Sequence, residues 1–219
     1  MKKWLIEHSL SIVVFSLFFV FLFGQSLAGH RHYNQEQTSH QQPTATYTEY
    51  LRSGDFIEGV FENWESEFLQ MGMYVVLTVF LYQKGSSESK KLSGTEPVDA
   101  QPRNSKHAAW PVRQGGLVLW LYENSLSIAF LVLFLMSFWL HAYGGSQATC
   151  QENFEHTDLE CPSTIRYMGS SKFWYESFQN WQSEFLAVGS IVALSVFLRQ
   201  KGSPESKPVN VSNGKTGTE

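Results

Sequence analysis

The chain has 219 residues and a formal charge of −4, with a mean hydropathy of −0.19, averages that would suit an ordinary soluble domain. They mislead, because the apolar residues gather into four blocks, 9–29, 68–83, 124–140 and 185–198. Motifs for nucleic-acid binding, a glycine-rich phosphate loop, a nucleophile elbow and HExxH are absent, so the sequence offers no catalytic residue, cofactor or metal centre.

Residues 9–29 form a run of 21 without Asp, Glu, Lys, Arg or His. About 20 apolar residues cross a hydrocarbon core of about 30 Å, so a first span is predicted over residues 5–28. Met1-Lys2-Lys3 before it and Ser26-Leu27-Ala28 at its end resemble a secretory signal peptide. Against this, Glu7 and His8 interrupt the approach, and much of the segment recurs in mid-chain. Residues 30–48 follow as a polar loop, rich in His, Gln and Thr, with little to bury. It holds His30, His32 and His40, and His-x-His is a spacing that can hold a transition metal.

A second helix is predicted over residues 61–83, with Asn63, Trp64 and Glu67 at its mouth. A Ser-, Pro-, Lys- and Gln-rich connector occupies 91–114. The third helix, 116–141, opens with Trp120 and Glu123, as the first opens with Trp4 and Glu7. Cys150 and Cys161 lie in the loop after it, with ten residues between them. A disulfide is the expected state on an oxidising side, since no ligand spacing of zinc-site type surrounds them. The fourth helix, 174–199, carries Asn180, Trp181 and Glu184, and residues 208–219 are a polar tail expected to be disordered.

The chain reads as a tandem duplication. WLIEHSLSI at 4–12 returns as WLYENSLSI at 120–128, an offset of 116 with seven of nine positions the same. FENWESEFL at 61–69 returns as FQNWQSEFL at offset 117, again with seven of nine. FLYQKGSSESK at 80–90 returns as FLRQKGSPESK at 197–207, with nine of eleven. Unrelated segments would match at about one position in fifteen. The expected fold is therefore an all-α membrane protein of four transmembrane helices. It forms two parallel helical hairpins, 1–90 and 115–207, with approximate two-fold symmetry about the membrane normal.

Charge sets the orientation. With the N-terminus inside, 12 Lys and Arg fall on the cytoplasmic side and four (Arg31, Arg52, Arg166 and Lys172) outside. Both termini are then cytoplasmic, and the basic QKGS segments have two readings, as setters of this topology and as contacts for anionic headgroups.

Glu67 and Glu184 stand at the lips of short spans. Sixteen uncharged residues separate Glu67 from Lys84 and fourteen separate Glu184 from Arg199, lengths of about 24 and 21 Å against a core of about 30 Å. Each has an Asn one turn earlier, Asn63 or Asn180, and a Trp, Trp64 or Trp181, on much of the same face. Paired about an axis, the two carboxylates would share a proton or hold a cation. As first-turn acids they would be helix caps. Glu7 and Glu123 form a second pair with the same two readings, a relay or a cap. Trp4, Trp64, Trp120 and Trp181 are expected as interface anchors. Gly72 and Gly189, with Ala193 one turn on, suggest close helix packing.

NWxSEFL followed by an apolar run and FLRQKGSPESKPV resembles an uncharacterised family of bacterial integral-membrane proteins, a domain of unknown function. The resemblance extends over almost the whole chain and is strongest at 173–209. It implies a bacterial inner-membrane location and supplies no activity. Three functions stay open: a non-catalytic accessory protein that assembles with itself or a partner in the bilayer; a small proton- or cation-linked channel using Glu67 and Glu184; and a metal-binding or enzymatic role for the outer histidines, which requires His30, His32 or His141 beside a carboxylate. Any pore needs an oligomer, because four short helices enclose little room.

Overall fold

The computed structural model describes residues 2–94, 96–103, 105, 107–156 and 160–217. In chain order the helices are α1 (Lys2–Glu7), α2 (Ser9–Ser39), α3 (Tyr47–Tyr50), α4 (Gly54–Phe80), α5 (Trp110–Gln114), α6 (Gly116–Glu123), α7 (Ser125–His156), α8 (Thr164–Met168) and α9 (Ser171–Leu194), with one 3-10 turn at Pro97–Asp99. No strand occurs among the described residues. α2 and α7 are each long and apolar enough to cross a membrane.

Both long helices start at a break, at matching positions of the two sequence copies. Only His8 separates α1 from α2, and only Asn124 separates α6 from α7. The break residues share a conformation, φ −116° and ψ 11° at His8 and φ −107° and ψ 8° at Asn124. In each copy the next serine turns back on the helix. Ser9 Oγ donates to the Ile6 carbonyl at 2.9 Å, and Ser125 Oγ to that of Tyr122 at 2.8 Å.

The helices overrun the expected loops. α2 continues through Ser39 although residues 30–48 have little to bury, because polar side chains carry the order. Asn34 donates Nδ2 to the Ala45 carbonyl at 2.9 Å and accepts the Ala45 amide at 2.8 Å, and the His30 ring shares that carbonyl at 2.8 Å. α4 likewise begins at Gly54, and α9 runs from Ser171 to Leu194 rather than over 174–199.

The chain divides into two compact units. The first comprises Met1–Val60 and Leu140–Ser170. Its framework is a pair of glycine–tyrosine contacts. A side chain at Gly29 would collide with the Tyr50 hydroxyl, and one at Gly145 with the Tyr167 ring. The two glycines are 116 apart and the two tyrosines 117, which are the offsets of the repeat. Each tyrosine lies in the last turn of a short capped helix, Tyr50 as the last residue of α3 and Tyr167 as the last but one of α8. Thr46 and Glu49 close a capping box on α3, and Ser163 Oγ accepts the Arg166 amide at 3.3 Å on α8. A second close approach brings α4 against α7, where a Cβ on Gly144 would strike the Glu58 backbone and one on Gly54 the Ala148 backbone. The Cys150–Cys161 disulfide closes the segment between α7 and α8.

The second unit comprises Phe61–Trp139 and Ser171–Glu219. Aromatic rings fill it. Phe138 meets Phe173 edge-on at 5.0 Å, and Trp181 packs with Trp174 and Phe178 at 6.2 and 5.5 Å. Gly72 lies close to Phe130, whereas Gly189 opens onto space, so the expected close packing at Gly189 is not made by this chain.

Both QKGSxESK segments, in the same unit, fold into one loop. The Gln83 and Gln200 amides donate to Ser89 and Ser206 Oγ, both at 2.9 Å. The Glu88 and Glu205 amides donate to Ser86 and Ser203 Oγ at 3.1 and 3.2 Å. The turn glycines, Gly85 and Gly202, have φ of 88° and 87°. The stretch after Lys207, read from composition as a mobile tail, carries defined turns here. Lys207, fully buried, donates Nζ to the carbonyls of Ser212, Asn213 and Lys215 at 3.4, 3.1 and 3.0 Å.

Candidate functional site

Buried ionisable groups mark the chemistry available, because an unpaired charge away from water is costly. In the first unit the buried carboxylate is Glu58, on the first turns of α4. The side-chain-free crossing at Gly54 and Gly144 brings its backbone against α7. Tyr167 Oη donates to Glu58 Oε1 at 2.7 Å, a bond wholly inside the unit. His141, one turn before Gly144 on α7, has no exposed surface. A carboxylate oxygen of Glu58 and an imidazole nitrogen of His141 lie within 4.8 Å of one another. Glu58, His141 and Tyr167 thus form a buried cluster of acid, imidazole and phenol. An imidazole nitrogen with a carboxylate oxygen is a donor set that suits first-row transition-metal ions.

The repeat-related tyrosine behaves differently. Tyr50 packs edge-on to Phe56 at 5.4 Å and tilted against Tyr33 at 5.5 Å. Burial, then the charges of Asp55 and Tyr47, raise its phenol above the usual range. Two copies of one clasp therefore hold different surroundings, and only that of Tyr167 reaches a carboxylate among the contacts described.

In the second unit Glu65 is fully buried and accepts Trp181 Nε1 at 3.0 Å. Gln70, also buried, donates Nε2 to the Glu184 carbonyl at 3.2 Å. Glu67 is exposed and Glu184 half-buried, and the two lie within electrostatic range of each other. Asn63 is exposed and Asn180 half-buried, and their carbonyls accept from Ser66 and Ser183 at 2.7 and 2.8 Å. Glu176 pairs with Lys172 at 3.7 Å.

Elsewhere, Glu7 is exposed and pairs with Lys3 at 3.7 Å, and Glu123 is exposed. Trp4 and Trp120 are exposed, whereas Trp64 and Trp181 are half-buried in aromatic contacts. Among the histidines that the sequence reading assigns to the outer side, His30 binds backbone and His32 faces Glu36 at 3.4 Å on the exposed side of α2. Among the described residues, His141 is the histidine of that set placed beside a buried carboxylate.

Sequence reasoning fixed on Glu67 and Glu184 because the repeat preserves them. It passed over Glu58 and Glu65, whose partners at offset 117 are Tyr175 and Gln182, and over Tyr167. One signal was available, since the Gly29–Tyr50 spacing of 21 residues recurs as 22 in Gly145–Tyr167.

The family described as Domain of unknown function (DUF6766) matches residues 1–218. No curated protein and no solved structure matches the chain.

Proposed function

The chain belongs to that family of unknown function, and we propose that it is a non-catalytic integral membrane protein that takes up a divalent transition-metal ion through Glu58 and His141. One observation carries this reading: a fully buried imidazole within 4.8 Å of a buried carboxylate that Tyr167 already holds by a hydrogen bond. A tyrosine hydroxyl on one oxygen fixes the orientation of the other, as outer partners do for metal ligands.

Four spans with both termini inside the cell remain the preferred topology. The apolar side chains around α2 support its place as one of these spans: Leu10 is 77% exposed and Phe21 68%, a surface suited to lipid. In that orientation Glu58, on the first turns of α4, and His141, midway along α7 and at the outer limit of the third expected span, lie toward the membrane boundary rather than the bilayer centre. An inner-membrane accessory component that assembles with itself or a partner fits the absence of catalytic motifs in the sequence.

The test uses the full chain, purified in neutral detergent and titrated with Zn²⁺ or Mn²⁺ by calorimetry. One saturable site is expected, lost in both Glu58→Gln and His141→Gln and retained in Glu67→Gln. Binding weakens as pH falls, because the imidazole must be neutral to ligate. Equal binding in all four proteins, or none in any, refutes the metal role. Reporter tags on the two ends check the topology separately, and tags on opposite faces would overturn it.

A second reading, proton- or cation-linked passage through Glu67 and Glu184, has one favouring observation, their mutual electrostatic range. The exposure of Glu67 weighs against an interior path. Flux in proteoliposomes that is unchanged in Glu67→Gln/Glu184→Gln removes it.

A further inference from the structure

Directly after α4, the second unit holds a cavity of about 620 Å³ lined by Tyr82, Lys84, Lys90, Lys91, Lys215 and Thr216, among others. Four lysines in one cavity are unusual in a chain with a net charge of −4. The walls are fixed. The Gly85 amide donates to Thr216 Oγ1 at 2.9 Å and the Gly217 amide to the Ser86 carbonyl at 2.9 Å, which seats residues 214–217 against the first QKGSxESK loop. Buried Lys207 holds the same stretch through its bond to the Lys215 carbonyl.

Acidic groups neutralise only part of this charge. Asp99 takes Lys90 at 2.8 Å, and Glu96 lies close enough to accept the Lys91 amide at 3.2 Å. Lys84 and Lys215 make no ion pair among the described residues. Two lysines without an ion partner thus line a roomy cavity, with Thr216 and Tyr82 in the same lining. Lysine is a compact point charge suited to phosphate oxygens.

We propose that this cavity binds a phosphate group, with Lys84 and Lys215 as the principal contacts, and that the phosphate is that of an anionic lipid headgroup. The lipid assignment rests on the four-span reading above, in which Tyr82 and Lys84 follow the inner end of the second span, at headgroup depth. Phosphate recognition itself rests only on the cavity.

The test uses the full chain in neutral detergent, with binding of dioctanoyl phosphatidylglycerol, dioctanoyl phosphatidylcholine and inorganic phosphate followed by native mass spectrometry and thermophoresis. Saturable binding of the glycerol lipid is expected, with little of the choline lipid. Each lysine near an anionic group is worth about fivefold in affinity, so Lys84→Gln/Lys215→Gln should weaken binding about 25-fold. Lys84→Arg/Lys215→Arg should largely keep it, and Lys172→Gln should leave it unchanged. Competition by inorganic phosphate would extend the ligand to free phosphate; its absence confines the site to lipid. Equal binding of both lipids, unchanged affinity in the double glutamine variant, or no saturable binding of either phosphate source overturns the site. Alkaline extraction of native membranes tests the spanning reading apart from this. A chain released by that treatment that still binds phosphate would sink only the lipid assignment.

Discussion

Replacing Tyr167 by Phe removes one oxygen and nothing else. Tyr167 is 2% exposed and Glu58 9%, and the bond between them is 2.7 Å long. The substitution leaves a buried carboxylate oxygen short of a donor, a loss of about 1–3 kcal/mol. At about 2–4 °C per kcal/mol for a chain of this size, the thermal midpoint should fall by roughly 2–12 °C. Tyr50→Phe is the internal control. Tyr50 occupies the matching position and is equally enclosed, but its hydroxyl makes no hydrogen bond among the described residues, so its loss should be near neutral. Gly145→Ala supplies the converse, because its methyl would drive into the Tyr167 ring and push the hydroxyl off Glu58; overpacking of this kind costs about 1–3 kcal/mol. Thermal unfolding of the detergent-purified protein, followed by circular dichroism, reads all three. Equal midpoints for Tyr167→Phe and the parent, or a Tyr50→Phe loss as large as that of Tyr167→Phe, would show that the carboxylate contact does not hold the unit.

Thr46 backbone and side-chain hydrogen bonds hold the Glu49 carboxyl below its ordinary range. The stabilisation of α3 by this cap is therefore complete above the unfolded carboxylate pKa and disappears as pH falls through the lower folded value. Exchange protection at 47–50 should fall only on that acid side, and Thr46→Ala, which removes the side-chain bond and keeps the backbone one, should reduce this pH dependence. Reducing the Cys150–Cys161 bridge, which spans 11 positions, should destabilise the protein by about 3 kcal/mol on the loop-entropy estimate; an unchanged midpoint under reductant would count against a structural bridge. Lys207→Met strips three carbonyls of their donor, and exchange protection should be lost across 208–217 and little elsewhere. A protected tail in that variant would mean that other contacts hold it.

Much of the helical architecture was legible, because long apolar runs declare helices through composition alone, as at 9–29 and 124–140. Helix ends were less so. Residues 30–39 look unfoldable by their hydropathy, and what extends α2 is a set of side-chain bonds to Ala45 that no periodicity encodes. The cysteine pairing followed from chemistry, and the chain joins those two residues. The buried cluster was the least legible part. Glu58 owes its burial to Gly144, 86 positions away, whose missing side chain lets two helices touch. A repeat comparison favours what both copies retain, and here the acid belongs to one copy only.

Each compact unit draws on both copies: the first takes 1–60 from one and 140–170 from the other. Neither sequence copy therefore contains a whole compact unit, and cutting the connector near residue 100 would produce two fragments that must find each other again. Expressed apart, they should be degraded or insoluble. Expressed together, they should complement into a functional split protein, as interlaced halves do and as beads on a string do not.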